Sequence, residues 1–560
     1  MNSTINWEKA GLAAAAVIFL FSLFLRFYAL AEPSFFLFDE GYYLNFTYDK
    51  LTHPLALYPP KNLQEFAQAL WALVRVALGT GKVFWFMLVD ARAFFGATEM
   101  WSFPRFVSAV AGILTLIVNY AFVKRFYQSQ RLAILSTVIL SILPSHIFYS
   151  RLALQDAVSC LFFLLGFYFY FYHRRFGIPV FLSSLAFAFA YFSNYRLIFI
   201  PLLILLVEIY RCLISKEPNK IIESFRRYLW HTLIFFLAVF IVAGMDRGQN
   251  RDLIFPWMMY QAQLAKSPKE WMDFFSYPYY LFRLESVILG FLFFANIYFV
   301  IGKQWQKAFP FLFAILLMAI FSMTSDQGAR YMCVGLPFVS LAAALLIDEF
   351  FQKKGKFAPG LSLAVVVVLI LSFLPKAAGV ALTHSDYKNS VDFLKTLEPR
   401  PKILSTQNWV QNLFTASRND VKQAPYGYKR TAEGYLKGYH YLIIDPQAYI
   451  CCTESKKRFD LPLKGALGLI ESRQRPIKTF PHFSPLILER VVFEHNENLR
   501  QSIKFLAQNK DKQFGSLRIY ALQDSMGLMM QAIQRQSAPR KVNKERFGDG
   551  LEDRGSGNED

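Results

Sequence analysis

Residues 11–30 read GLAAAAVIFLFSLFLRFYAL and residues 38–43, a few positions on, read FDEGYY. The first stretch is one apolar block, interrupted only by Arg26, with the length a helix needs to cross the hydrocarbon of a bilayer. The second sets Asp39 and Glu40 just beyond it, at the far surface of the membrane, where a charged side chain needs a partner, a substrate or water. Ala29-Leu30-Ala31 before Glu32 resembles a small-residue cleavage site. Yet the block is longer than an ordinary signal-peptide core, and the segment before it carries only Lys9 opposite Glu8. It therefore reads as an uncleaved first span.

The rest of the chain repeats that first block. Of 560 residues 54% are hydrophobic and 59 are Phe, far from ordinary soluble usage, and the mean hydropathy is +0.29. The apolar residues come in blocks of roughly twenty instead of alternating with polar ones, so the spans are helices and not barrel strands. A net charge of +20 raises nucleic acid as a ligand. Lys and Arg, however, sit in short stretches between the apolar blocks, where they report orientation, and nucleic-acid binding is set aside. Cys160, Cys212 and Cys333 fall in or at the edge of apolar blocks and Cys451-Cys452 are adjacent, which gives neither a metal nor a disulfide framework.

Further spans follow near 104–123, 132–149, 157–172, 177–193, 197–213, 229–245, 287–302, 308–323, 331–347 and 358–375, about eleven with the first. With the amino terminus inside, the loops assigned to the cytoplasm hold Lys124, Arg125 and Arg131, then His173, Arg174 and Arg175, then Arg211 to Arg227, then Lys303 and Lys307, then Lys353, Lys354 and Lys356. Each is basic, as the positive-inside rule requires. The first outer loop, 31–101, has helical spacing over 61–78 and an interrupted apolar stretch over 83–95, read as surface or re-entrant helices. The second outer loop, 246–286, is rich in aromatics, including Trp257, Trp271, Tyr277, Tyr279 and Tyr280, which read as interfacial anchors. These parts make up a membrane domain over 1–380.

An odd number of spans puts the part after Pro375 outside. Helix over 390–397, strand over 402–406, helix over 409–416, strand over 441–445, helix over 463–472 and strand over 517–522 predict a small α/β domain over 381–523. The charged stretch 524–560 reads as a disordered tail.

Under this single topology Asp39, Glu40, Lys82, Arg105, Arg151, Asp156, Arg196 and Arg330 all reach the same outer boundary. Acids and bases gathered there suit a polar cavity. A carboxylate takes a proton from an acceptor hydroxyl, while Lys and Arg stabilise negative charge developing on a phosphate leaving group. The inner loops are too short to house a nucleotide-binding domain, so a donor embedded in the membrane fits better.

The motif FDEGYY at 38–43 resembles the first-loop Asp-Glu motif of polytopic GT-C glycosyltransferases, in the branch of protein O-mannosyltransferases and lipid A aminoarabinose transferases. Lys82, Phe95-Gly96, Glu99 and Pro104 to Ser108 are similar to the continuation of that motif, although Val83-Phe84 follow Lys82 where the family has two prolines. Pro144 to Arg151 with Asp156 resembles its third-span exit, and Arg330-Tyr331 with Leu336-Pro337 its late pattern. The resemblance spans about 10–350, and the order of the motifs carries it.

It implies Asp39 as general base, Glu40 as an adjacent acid for acceptor or metal, and Asp156 as an acid orienting the sugar or Arg151. Lys82, Arg330, Tyr331 and Arg151 would hold the donor phosphate. The expectation is a polytopic α-helical membrane protein of GT-C type, in a bacterial inner or plasma membrane, with an extracytoplasmic α/β domain. It would transfer one sugar, with inversion, from a polyprenyl-phosphate donor to a hydroxyl of a glycan, lipid or protein, with a divalent cation at Asp39 and Glu40 left open. The rivals are a secondary transporter or flippase for a lipid-linked or anionic solute, which would place its ionisable groups at mid-membrane in duplicated halves, and a scaffold without chemistry.

Overall fold

The structure, a computed structural model, describes residues 7–30, 32, 40, 41, 44, 62, 64, 101–172, 177–215, 218–245, 270–324, 327–352, 358–415, 417, 420–423, 438–445, 470–481, 484–494, 498–508 and 516–522. The helices expected over 61–78 and 83–95, the loop 246–269, most of the helix expected over 463–472 and the tail 524–560 lie outside the described residues.

The membrane part is helical: α1 (Trp7–Phe27), α2 (Ser102–Tyr127), α3 (Gln130–Ile142), α4 (Pro144–Arg151), α5 (Asp156–Tyr172), α6 (Ile178–Ser193), α7 (Ile200–Ser215), α8 (Pro218–Met245), α9 (Val287–Phe294), α10 (Ile297–Ile301), α11 (Trp305–Ser322), α12 (Leu336–Gln352) and α13 (Ala358–Ala381). Among the described residues six helices are long and apolar enough to cross a membrane, and α3 with α4 makes a seventh bent by 61°. Four shorter apolar helices, Ala13–Phe27, Asp156–Phe171, Ile178–Ser193 and Val287–Ile301, complete the set. Each falls on an apolar block of the sequence. The bend follows from Pro144, which has no N–H to continue α3 and holds the residue before it, Leu143, in a non-helical conformation (φ −58°, ψ 121°). The turn it creates aims α4 at the site described below.

Lipid offers apolar side chains no hydrophobic gain from pairing, so the bundle is held by close packing. Phenylalanine supplies much of it. Phe163, Phe167, Phe313 and Phe338 interlock, with ring centroids of Phe313 and Phe338 4.5 Å apart and of Phe167 and Phe313 5.0 Å apart. Val17, Leu20, Ile117, Leu213, Phe240 and Leu371 are exposed around the outside, as a lipid-facing belt requires.

The two ends of the bundle differ. At one end the basic loops meet acids on neighbouring helices: Arg131 Nε lies 2.6 Å from Asp348, Lys307 Nζ 2.6 Å from Glu349 and Arg227 Nε 3.1 Å from Glu208. At the other end sits the carboxyl-terminal domain, with helices α14 (Tyr387–Leu397), α15 (Asn408–Gln411), α16 (Pro485–Glu494) and α17 (Leu499–Gln508). Its strands are β1 (Ile403–Ser405), β2 (Val421–Gln423), β3 (Tyr441–Ile444), β4 (Lys478–Pro481) and β5 (Ser516–Ala521), in the order β2-β1-β3-β5-β4. β1 is parallel to β2 and β3, while β5 is antiparallel to β3 and β4. The α/β expectation holds, with an antiparallel edge added.

The second loop departs from expectation at its tyrosines. Trp271 is 73% exposed, as an interfacial anchor should be, but Tyr277 and Tyr280 are buried. Tyr277 packs on Phe321, and Tyr280 packs on Phe493 and donates a hydrogen bond to the Gln327 carbonyl at 3.0 Å. Tyr277 thus packs within the bundle and Tyr280 joins it to the carboxyl-terminal domain, instead of facing the interface.

Candidate active site

The end that carries the α/β domain is built around two buried clusters, both reached by the segment from Tyr149 to Asp156. The first begins with Glu40. Arg105 lies in the first turn of α2, and its guanidinium donates to both Glu40 oxygens, Nε to Oε1 at 2.7 Å and Nη2 to Oε2 at 3.1 Å. A third bond, from the Ala153 N–H to Glu40 Oε1 at 2.8 Å, reaches the turn between α4 and α5. Arg105 Nη1 also donates to the Glu32 carbonyl at 3.0 Å, fixing the chain just after α1. Glu40 is wholly buried, so this bidentate pair is the clamp that sets Glu40 against three segments.

Gly41 faces the other way. A Cβ there would lie 2.8 Å from Val410 Cγ2 and 3.1 Å from the Trp409 carbonyl carbon, so Gly41 lies against α15 of the carboxyl-terminal domain, and only glycine fits without displacing backbone. The Trp101 and Phe414 rings meet edge to face at 5.6 Å.

The second cluster contains Arg330 and Tyr331, in the 3-10 turn Ala329–Gly335 that opens α12. Arg330 Nη2 lies 3.2 Å from the Tyr331 hydroxyl, and the Arg196 guanidinium lies over the Tyr331 ring, 3.5 Å from its centroid. Asp156 is 3% exposed in the first turn of α5, where the helix N-terminus favours a carboxylate.

Into this cluster the carboxyl-terminal domain inserts Glu494 and Arg490, one turn apart on α16, 3% and 1% exposed. Glu494 Oε1 accepts a hydrogen bond from the Tyr149 hydroxyl, while its Oε2 has no hydrogen-bond partner among the described residues. Burial pushes the Glu494 carboxyl up to about 7, against the pull of Arg330 and the Tyr149 hydrogen bond; nearby Asp156 adds to the rise and Arg490 opposes it. Arg490 donates to Ser145 Oγ at 2.9 Å and to the Leu284 carbonyl at 3.2 Å, which locks α16 on α4.

Arg151 is spent on backbone. Its guanidinium donates to the carbonyls of Leu25 at 2.6 Å, Tyr28 at 2.9 Å and Ala381 at 3.0 Å, joining the ends of α1 and α13, whose last carbonyls have no partner within their own helices. Asp39 and Lys82 lie outside the described residues. Among the described residues no group of three or more His, Cys, Asp and Glu could hold a metal ion. Glu40, committed to Arg105, does not fit a hard cation, which would have to share the carboxylate with a guanidinium.

Residues 16–245 match the family described as dolichyl-phosphate-mannose-protein mannosyltransferase. An archaeal oligosaccharyltransferase, AglB from Archaeoglobus fulgidus, solved with an inhibitory peptide and a dolichol-phosphate, superposes with a TM-score of 0.51 at 12% identity, over 80% of this chain and 70% of that one. The chain shares the fold of that GT-C enzyme. ArnT from Cupriavidus metallidurans in the apo state matches this chain at a TM-score of 0.47 and 13% identity, over 80% of this chain and 94% of the other. No curated protein matches it in sequence. The family match ends with α8, before Arg330 and Tyr331.

Of the residues the sequence singled out, Glu40 meets Arg105 and the Ala153 N–H, while Arg330 and Asp156 flank Glu494. Sequence reasoning missed Glu494 and Arg490. The signal was there in the decapeptide PLILERVVFE at 485–494, where Arg490 and Glu494 stand one turn apart among apolar residues with Glu489 the third charge, but a soluble helix would turn them to water.

Proposed function

We propose that this chain is a GT-C glycosyltransferase, which moves a single sugar from a polyprenyl-phosphate carrier to an acceptor hydroxyl on the extracytoplasmic face, with inversion at the anomeric carbon. Asp39 takes the acceptor proton as the hydroxyl attacks. Arg330, Tyr331 and Lys82 hold the phosphate that leaves, and Asp156 orients the sugar beside them. Glu40 acts through Arg105, holding Asp39 in place, and Arg151 braces the helix ends that frame the site.

The observation that supports this reading best is that the segment 149–156 touches both clusters: Ala153 binds Glu40, and Tyr149 binds Glu494 beside Arg330. Glu40 of the acid motif and Arg330 lie at one end of the bundle, which supports direct displacement on a lipid-anchored donor. The fold is shared with AglB, which was solved with a dolichol-phosphate, a carrier of the same chemistry.

Replacing Asp39 by Asn keeps shape and removes the base. Transfer from a defined polyprenyl-phosphate-linked sugar should fall by about 10²–10⁴-fold, with donor binding unchanged. Full transfer by that variant would remove Asp39 from the role.

A further inference from the structure

The carboxyl-terminal domain does more than cover the site: it places an acid side chain in it. Glu494 is the last residue of α16, 3% exposed, and its Oε2 has no hydrogen-bond partner among the described residues. The close fit at this point is fixed by backbone. A Cβ on Gly328, two residues before Arg330, would lie 2.8 Å from the Glu494 carbonyl oxygen and 3.2 Å from the Tyr331 ring. The end of α16 is therefore seated on the Gly328–Tyr331 turn itself.

Four ionisable groups act on Glu494 from the elements around it: Tyr149 on α4, Asp156 on α5, Arg330 in the turn before α12 and Arg490 on its own helix. Arg330 and Arg490 favour the carboxylate, while Asp156 and burial oppose it. A phosphodiester placed on Arg330 would add one more negative charge to this enclosed set. Two anions then share one guanidinium, and the buried carboxyl is the member that gains a proton.

We propose that Glu494 is part of the donor-phosphate site and is protonated when the phosphate of the polyprenyl-linked donor binds. This rests on the reading of Arg330 given above and adds to it a role for the carboxyl-terminal domain. Glu494 is a positioning residue: it shapes the charge around Arg330 and does not touch the reacting carbon. Its neutral form leaves Arg330 to the phosphate, and its carboxylate competes for the same cation. Because burial holds the free carboxyl near pH 7, the competition falls in the physiological range.

The sign follows from linkage. Phosphate binding raises the affinity of Glu494 for its proton, so donor affinity is constant below the pH at which the free carboxyl ionises. It weakens above that pH by up to about tenfold per unit. The test is the affinity of the full-length protein in detergent for geranylgeranyl methyl phosphate, a diester whose own charge is constant from pH 5 to 9. The wild-type dissociation constant should be flat to about pH 7 and then rise. Glu494→Gln should bind as tightly at pH 8.5 as the wild type does at pH 6, with no dependence. Tyr149→Phe, which removes a hydrogen bond to the carboxylate, should move the onset to higher pH. It also serves as the readout if the Gln variant is poorly folded.

A wild-type affinity that does not change with pH, or a Glu494→Gln protein that keeps the wild-type profile, overturns the proposal. If the wild type binds the diester and Arg330→Met binds it equally well, the donor-site reading of Arg330 fails instead, whatever Glu494 does.

Discussion

Glu40 is the residue on which structure and motif place the most different demands, and replacing it by Gln separates them. The wild-type carboxylate is wholly buried and accepts two charge-assisted bonds from Arg105, at 2.7 and 3.1 Å, and one from the Ala153 N–H at 2.8 Å. The amide keeps the shape but turns an NH2 toward a donor, leaving the Arg105 cation buried without its counter-ion. Breaking one side of such a pair costs about 3–5 kcal/mol. Arg105→Met should cost about as much. The double variant, which leaves no orphaned charge, should be more stable than either single variant, with a coupling of up to about 3 kcal/mol. Unfolding of the purified protein by SDS titration in detergent micelles measures all four corners of this cycle. Transfer should fall in step with stability if, as proposed, Glu40 acts by holding Asp39. If Glu40→Gln stays within about 0.5 kcal/mol of wild type while transfer disappears, Glu40 acts in the chemistry and the clamp account is wrong.

Arg330→Met should weaken binding of a polyprenyl phosphodiester by about 10–100-fold through loss of a charge-assisted hydrogen bond, measured by equilibrium binding in detergent; unchanged affinity would count against it. Gly41→Val should destabilise the protein by about 1–3 kcal/mol and slow transfer, because the new side chain meets Val410 and the Trp409 backbone; a neutral result would mean the motif and α15 are not packed together. Glu494 makes stability itself pH-dependent. Its folded-state pKa, raised to about 7 from 4.5, makes its contribution full below pH 4.5 and loses it as pH rises through 7, a change of about 3 kcal/mol. The stabilities of wild type and Glu494→Gln should therefore lie closer together at pH 5 than at pH 8, with the wild type losing the difference in between, and parallel profiles would refute the burial argument.

Much of the fold is legible in the sequence because each lipid-crossing helix must be apolar over a fixed length, and the block from 104 to 123 or from 331 to 347 states that without help from neighbours. The alternation of basic loops states which ends lie together, and Arg131 with Asp348 and Lys307 with Glu349 meet accordingly. Within the site, the motif points to the acids but not to their partners. Arg105 and Glu40 are 65 positions apart, and nothing local couples them. Arg26, read as an interruption of the first block, is instead fully buried, donating to the Ser141 carbonyl at 2.9 Å and paired with His146 Nδ1 at 2.7 Å. Arg151 looked like a rim cation and turned out to bind carbonyls. Glu494 and Arg490 belong to a helix whose pattern suits a soluble surface, and only its docking on α4 makes them interior. Pairings across domains depend on tertiary packing, which a single sequence does not encode in its periodicity.

A structure of the full-length protein with a polyprenyl phosphodiester bound is the most direct test of the account. It should show the phosphate on Arg330 beside Tyr331, with the Asp39 carboxylate opening into the same water-filled cavity on the side of the carboxyl-terminal domain. A phosphate held at the end of the bundle where Arg131 meets Asp348, or an Asp39 side chain sealed from the cavity that holds it, would contradict the proposed chemistry.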